Sequence, residues 1–268
     1  MKAKELLQVI GASFVLILLG DGVVAMVGLA PRLGPAGYDW NTIVWGWALA
    51  VLFSAYIAGG NNNPAVTIAF AVRGELPWSK VGPYVFCEML GSFLGAAVVY
   101  ACYRDGLVAA GVPNVWCTGP GSTFGTSFWG GVNGSQSAGV YSLFTACVTE
   151  FVGTVVLMWA ILAVNDRRNK ALGIAGAVIV SAAVLAIGIS LGGPSGYAIN
   201  PSRDLGPRLF GVLAGTTGLF EGSYWLLAPI VAPIVGAIVA SYLYDAVFAS
   251  EPEPEPARSR VAAHEPTA

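Results

Sequence analysis

Hydrophobic residues come in six long runs along this chain, at about 5–29, 40–59, 80–103, 141–164, 170–192 and 224–247. A helix rises about 1.5 Å per residue, so each run is long enough to cross the ~30 Å hydrocarbon layer of a membrane. Two shorter apolar stretches, at about 64–73 and 201–211, are too short to cross and predict half-helices that enter and stop. Both start from the same signal, Asn63-Pro64-Ala65 in one case and Asn200-Pro201-Ser202 in the other. Asn caps a helix well, and Pro at the first helical position loses nothing, because an N–H there would have had no helical partner. Broken backbone at membrane depth survives only where it is buried in protein or lines a watery cavity. Two such breaks at matching places in two half-chains point to a permeation site near the bilayer midplane.

Composition strengthens the membrane reading. The chain is 56% hydrophobic with a mean hydropathy of +0.69. Only 10% of its residues are charged, against about 25% in a soluble domain. Met1-Lys2-Ala3-Lys4-Glu5 runs straight into the first long run, which predicts a retained span rather than a cleaved signal peptide with its shorter apolar core. With the N-terminus inside, Lys2, Lys4, Arg73, Lys80, Arg167, Arg168, Lys170, Arg258 and Arg260 all fall on the cytoplasmic side. Arg32, Arg104 and Arg208 fall outside, and Arg203 is assigned to the pore. Both termini are therefore expected in the cytoplasm. Each half holds three spans and one half-helix, and an odd number of spans inverts the second half relative to the first. The expected repeats cover about 5–103 and 141–249, with the motifs about 137 positions apart, roughly half the chain. The half-helices then enter from opposite sides and bring their positive N-terminal ends together. Residues 1–249 form the expected channel domain. The connection at 104–140, rich in Gly, Ser, Thr and Trp, reads as an external loop. Residues 250–268, opening on Glu-Pro repeats, read as a disordered cytoplasmic tail.

Several function classes drop out. A net charge of −2 gives no basic footprint for nucleic acid. The four Cys lack metal-ligand spacing, and neither metal nor cofactor is expected. Cys87, Cys102 and Cys147 read as small apolar helix residues, and Cys117 as a free loop thiol, with a disulfide left open. His264, the single histidine, sits in the tail, so no membrane-embedded nucleophile–base pair can be assembled and an enzyme is disfavoured. An ion-coupled transporter would need a cation site at the break, which two converging helix N-termini oppose. Gly91, Gly95, Gly153, Gly173 and Gly176 are expected to let helices approach closely.

Asn63-Pro64-Ala65-Val66-Thr67, taken with the run from Gly196 and Tyr197 through Asn200-Pro201-Ser202-Arg203-Asp204 to Arg208, resembles the aquaporin superfamily over about residues 5–249. It is most similar to the bacterial glycerol facilitators, whose mark is an Asp directly after the pore Arg, here Asp204. The resemblance implies an all-α membrane channel of six transmembrane helices plus two re-entrant half-helices. It also implies a pore in each subunit, a homotetramer, and a place in a bacterial cell membrane. In that family four residues line the narrowest point. Arg203 carries over, as does Tyr197, where glycerol facilitators have Phe, and Gly188 in the fifth span. The fourth is an aromatic on the second span, where alignment selects Trp47 and Trp45 competes. Other positions depart from the pattern. Gly59-Gly60-Asn61-Asn62-Asn63 is about four residues shorter than the family's segment before the first motif, and Asn61 stands in the place of its His. The Glu usual early in the first span is missing from Gln8-Val9-Ile10-Gly11, while its counterpart in the fourth span is Glu150. Glu88 sits where Gln is common and reads as a helix contact.

These residue types suit a polyol. Arg203 keeps its charge, repels cations and donates to hydroxyls, while Trp47 and Tyr197 offer an apolar wall opposite. Gly188 is expected to widen the passage. The amides of Asn63 and Asn200 are expected to face the lumen, where water must accept from both, so that protons and ions are excluded and neutral solutes pass. The preferred solute stands open between glycerol with water and another small neutral molecule such as undissociated lactic acid or hydrogen peroxide. Asp204 is expected to pair with a basic group or backbone N–H and hold the filter loop. Glu150 is expected to accept from the irregular backbone before the second half-helix. Asp21, in Gly20-Asp21-Gly22, reads as either a vestibule or a structural carboxylate.

Overall fold

A computed structural model describes residues 2–29, 39–119, 141–166, 168–169 and 175–250. Every long element in it is a helix. In chain order these are α1 (Ala3–Leu29), α2 (Trp40–Ala58), α3 (Pro64–Val72), α4 (Trp78–Ala109), α5 (Leu143–Asn165), α6 (Ala175–Leu191), α7 (Pro201–Ala214) and α8 (Tyr224–Val247). Helices α1, α2, α4, α5 and α8 are long and apolar enough to cross a membrane. The described part of α6 has 17 residues, and residues 170–174 of the span expected there lie outside the described residues. Helices α3 and α7, with 9 and 14 residues, reach only about 13 and 21 Å and cannot cross.

Local signals set the helix ends. Asp39 caps α2, its carboxylate accepting from Asn41 N (2.9 Å) and Thr42 N (3.3 Å). Ser142 caps α5 through Thr145 N at 3.1 Å. Helix α8 opens with a π-helical turn over Leu227–Val231. Pro229 sits inside that turn and has no N–H to give the carbonyl four residues back, so the turn widens. One expectation needs correcting. The third span does not end near 103 but continues as helix to Ala109, carrying Arg104 and Asp105 with it. The segment after it is not an open loop throughout, because Val115, Trp116, Cys117 and Thr118 are buried. Residues 120–140 lie outside the described residues.

The packing repeats in the two halves. Helix α1 packs against α2 and α4, and α5 packs in the same way against α6 and α8. The halves are joined where α2 meets α6, α3 meets α8 and α7 meets α4. Small residues permit the close crossings. A Cβ added at Gly91 or Gly95 would lie 2.3 Å from Ile10 O or 2.9 Å from Phe14 O, across the α1–α4 seam. At Gly236 it would lie 2.6 Å from Phe151 O, across the α8–α5 seam. Gly176 leaves room for Val164, and Gly153 leaves room for Ile199 and Ile187; Gly173 lies outside the described residues. Large apolar side chains such as Phe53, Phe86, Phe144 and Leu213 point outward, as an apolar solvent requires.

Candidate functional site

The two half-helices meet end to end at the centre of the bundle. Asn63 and Asn200 are both extended in backbone, both buried, and each caps its own helix through the side-chain oxygen. Asn63 Oδ1 accepts from Ala65 N at 3.0 Å, and Asn200 Oδ1 from Ser202 N at 3.0 Å and Arg203 N at 3.2 Å. The amide nitrogens cross between halves. Asn63 Nδ2 donates to Ile199 O at 2.9 Å, and Asn200 Nδ2 to Asn62 O at 2.7 Å. Each amide therefore spends one N–H on the opposite half and keeps one for the lumen. The sequence reading placed both amides on the lumen but did not foresee that half of each is a structural cross-link. Ser202 Oγ reinforces it, at 3.0 Å from both Asn62 O and Asn200 Oδ1. Pro64, Ala65, Pro201 and Ser202 are themselves buried beneath the junction.

The turns leading into the two half-helices solve one backbone problem differently. Before α3, the left-handed conformations fall on Gly59 (φ 85°) and Gly60 (φ 73°), where they cost little. Before α7 they fall on Gly196 but also on Tyr197 (φ 41°) and Ile199 (φ 45°), which have side chains. Such residues cost about 1–3 kcal/mol each and persist only when their surroundings hold them. Glu150 supplies the hold. It is fully buried, with Oε1 accepting from Ala198 N at 2.8 Å and Oε2 from Ile199 N at 2.6 Å. On the first side Glu88 of α4, also fully buried, accepts from Thr67 Oγ1 of α3 at 2.6 Å.

A cavity of about 700 Å³ opens at one end of the bundle between Glu75, Leu76 and Asn165 and runs inward past Asn61, Asn62, Asn63 and Asn200. One side is apolar, with Leu16, Val66, Phe70, Leu157 and Val184, and the other carries the asparagines and Ala198–Ile199. A second, much smaller cavity of about 40 Å³ lies beyond it, against Val24, Ile43, Val115 and Thr118. Trp47, Tyr197 and Arg203 line both cavities and so form the neck between them. The Arg203 guanidinium lies over the Trp47 ring, 4.0 Å from its centroid. Trp47 Nε1, Tyr197 Oη and Arg203 Nη1 are buried without a protein hydrogen-bond partner. Three polar atoms at the neck are thus free to hydrogen-bond to whatever enters it. Trp45, the competing position, is 56% exposed on the outer surface and stands away from this neck.

Gly188 lines neither cavity, so it bears on the width of the passage only through the Tyr197 ring. A Cβ there would fall 2.8 Å from both Tyr197 Cζ and Val44 Cγ1, so the missing side chain makes room for the tyrosine ring. The Gly188 carbonyl accepts from Trp40 Nε1 at 3.0 Å, and Trp40 meets Tyr197 edge to face at 5.5 Å.

Asp204 and Arg208 form the frame behind Arg203. Arg208, counted from sequence as an outer-side charge, is buried and pairs with Asp204 at 2.7 Å. Asp204 also accepts from Thr118 N (2.8 Å) and Thr118 Oγ1 (2.6 Å), while Arg208 donates to Thr118 O (2.8 Å) and Leu219 O. Removing one partner of such a pair strands a buried charge at a cost of about 3–5 kcal/mol. Asp21, which sequence allowed in the vestibule, is fully buried and does not reach either cavity. Sequence reading missed Asn62, Thr118 and Trp40, which act through a carbonyl, a loop contact and an indole edge. Only the run of three asparagines could have drawn attention to Asn62.

A family profile described as "Major intrinsic protein" matches residues 2–244. The chain is 38% identical over 245 residues to a protein from Thermotoga maritima named "Probable glycerol uptake facilitator protein", covering 88% of this chain and 96% of that one. It is 36% identical over 252 residues to the "Glycerol uptake facilitator protein" of Bacillus subtilis, covering 90% and 83%. Among solved structures it is similar to the aquaglyceroporin from Plasmodium falciparum, with a TM-score of 0.74, 31% identity, and coverage of 91% of this chain and 96% of that one.

Proposed function

Because the chain belongs to the major intrinsic protein family, a family of membrane channels and not of enzymes, we propose that it passes glycerol and related small neutral solutes, together with water, and turns back protons and ions. The observation that carries this reading is the neck between the two cavities, lined together by the rings of Trp47 and Tyr197 and by the Arg203 guanidinium stacked on Trp47. A polyol has a carbon edge and a hydroxyl edge, and this neck offers an aromatic wall to the first and donors to the second. The two relatives named for glycerol uptake support the same solute. Cations meet the fixed charge of Arg203 and then two helix N-termini. A water file meets two amides, Asn63 and Asn200, that both donate, which breaks a continuous proton wire at the centre.

In this reading the apolar helix faces contact lipid and neighbouring copies in a homotetramer, and each copy has its own lumen. The chain sits in a bacterial cell membrane with both termini in the cytoplasm, the orientation that Arg73, Lys80 and Arg168 favour. The 700 Å³ cavity is then the cytoplasmic half of the path. Residues 1–249 make up the channel and 250–268 a cytoplasmic tail.

Stopped-flow light scattering on reconstituted vesicles tests this. After hyperosmotic glycerol, vesicles with the protein should reswell far faster than empty ones. Fast water flow with glycerol at the lipid baseline would reject the glycerol assignment. It would favour a second reading, the same channel tuned to water, undissociated lactic acid or hydrogen peroxide. That reading rests on Tyr197 Oη, a hydroxyl left without a protein partner at the neck.

A further inference from the structure

The first residue of α2, Trp40, reaches across the bundle to α6. Its indole Nε1 donates to the Gly188 carbonyl at 3.0 Å, and its ring meets the Tyr197 ring edge to face at an interplanar angle of 79°. Space is left for it there: a Cβ at Gly192, just past the end of α6, would lie 2.1 Å from Trp40 Cζ2. Gly188, about one helical turn earlier, seats the Tyr197 ring in the same way. Two glycines thus hold two aromatic rings side by side. Tyr197 depends on such support. It lines both cavities, yet its hydroxyl has no protein partner, so packing alone sets where the ring lies. Its backbone, at φ 41°, persists only where the surroundings hold it. Glu150 grips the backbone of the two residues that follow, not the ring. Trp40 lines the outer cavity but not the inner one, so it touches the neck without standing in it. A Trp at the end of a span also serves as an anchor at the membrane surface. This indole instead spends its one N–H on a carbonyl 148 residues away in the chain.

We propose that Trp40 is a positioning residue for the neck: it holds the Tyr197 ring in place and so sets the bulk of the largest solute that passes. This rests on the channel reading above. Edge-to-face aromatic pairs hold together more strongly than their buried area alone accounts for. Without the indole, the Tyr197 ring gains room to tilt away from the neck. Trp47 and Arg203 remain in place, so glycerol still passes, and bulkier polyols pass with it.

The test compares wild type, Trp40→Leu and Trp40→Phe in vesicles, measuring reswelling in glycerol and in xylitol, a longer and bulkier polyol. We expect the ratio of xylitol to glycerol flux to rise roughly tenfold in Trp40→Leu, the factor that about 1.4 kcal/mol represents. Trp40→Phe keeps an aromatic edge but loses the N–H, and its ratio should rise by less. In a Tyr197→Ala background, Trp40→Leu should change the ratio no further, because no ring is left to hold. A further rise there means that Trp40 acts on the solute directly and overturns the positioning role. So does an unchanged ratio in Trp40→Leu, whether glycerol flux is intact or both fluxes fall together as the loss of a membrane anchor would make them. Wild-type protein without glycerol flux overturns the channel reading and this assignment with it. Should Trp40→Leu not assemble, Trp40→Phe decides alone, a raised ratio supporting the role and an unchanged one rejecting it. If neither assembles, Trp40 is a requirement of the fold and the positioning role is rejected.

Discussion

Single residues at the neck act through what they leave empty as much as through what they present. Gly188 is the clearest case, because its missing side chain is the seat of the Tyr197 ring. Gly188→Ala should therefore push that ring into the passage. We expect glycerol flux to fall several-fold while water flux falls less, measured side by side in the same vesicles; equal losses would mean that the ring does not move. Arg203→Ala removes the charge and donor array at the neck. It should admit larger and charged solutes, visible as swelling in sorbitol or current under voltage, and unchanged selectivity would take Arg203 out of the filter. Sequence carried the neck only in part. Arg203 and Tyr197 were legible because they sit at fixed offsets from the second Asn-Pro motif. That Asp204 pairs with a basic group was expected, but that Arg208 is the partner, and that Asp21 is buried, were not, because a charge in a membrane sequence does not say which neighbour neutralises it. That Gly188 lies under the Tyr197 ring was not legible, since a glycine in a sequence does not show which side chain fills its space.

Among elements, the long helices and both half-helices were readable from apolar length and from Asn-Pro alone. Their ends were less so. Helix α4 runs to Ala109 where polarity argued for a stop, because Leu107 is buried and keeps that last stretch packed. The end of α5 shows how polar contacts outside the membrane fix one element to another. Asp166 accepts from Arg168 N (3.0 Å) and Nε (3.2 Å), from Tyr244 Oη (3.2 Å) on α8, and from Ser250 N (3.0 Å) beyond it. These donors, the Arg168 backbone N–H first, hold its carboxyl well below the usual aspartate value of 3.8. A depressed folded-state pKa gives stability that is fully present above 3.8 and is lost only as pH falls through the lowered value. Hydrogen exchange at the Ser250 amide should accordingly show the same protection factor at pH 5 and pH 7. Asp166→Ala should abolish that protection at both, and retained protection in that variant would show that Ser250 is held by something else.

On the scale of the whole molecule, Trp47, Tyr197 and Arg203 of one chain line both cavities, and on the proposed reading each copy conducts by itself. Gly188→Trp would drive the Tyr197 ring into the neck and close it, and mixing that variant with wild type before reconstitution should lower glycerol flux in simple proportion to its fraction. A steeper fall would mean that copies depend on one another to conduct. The two-fold logic of the chain was visible in its sequence as two motifs half a chain apart. The unlike means by which its halves hold their central turns was not, because nothing in Glu150 as a letter says which backbone it will grip.

The crossed amides have a consequence for how the protein is made. Asn63 is synthesised long before Ile199, the carbonyl it needs, and Asn62 O likewise waits for Asn200. Neither bond can form until both halves are in place, so the junction of the two half-helices is a late product of folding.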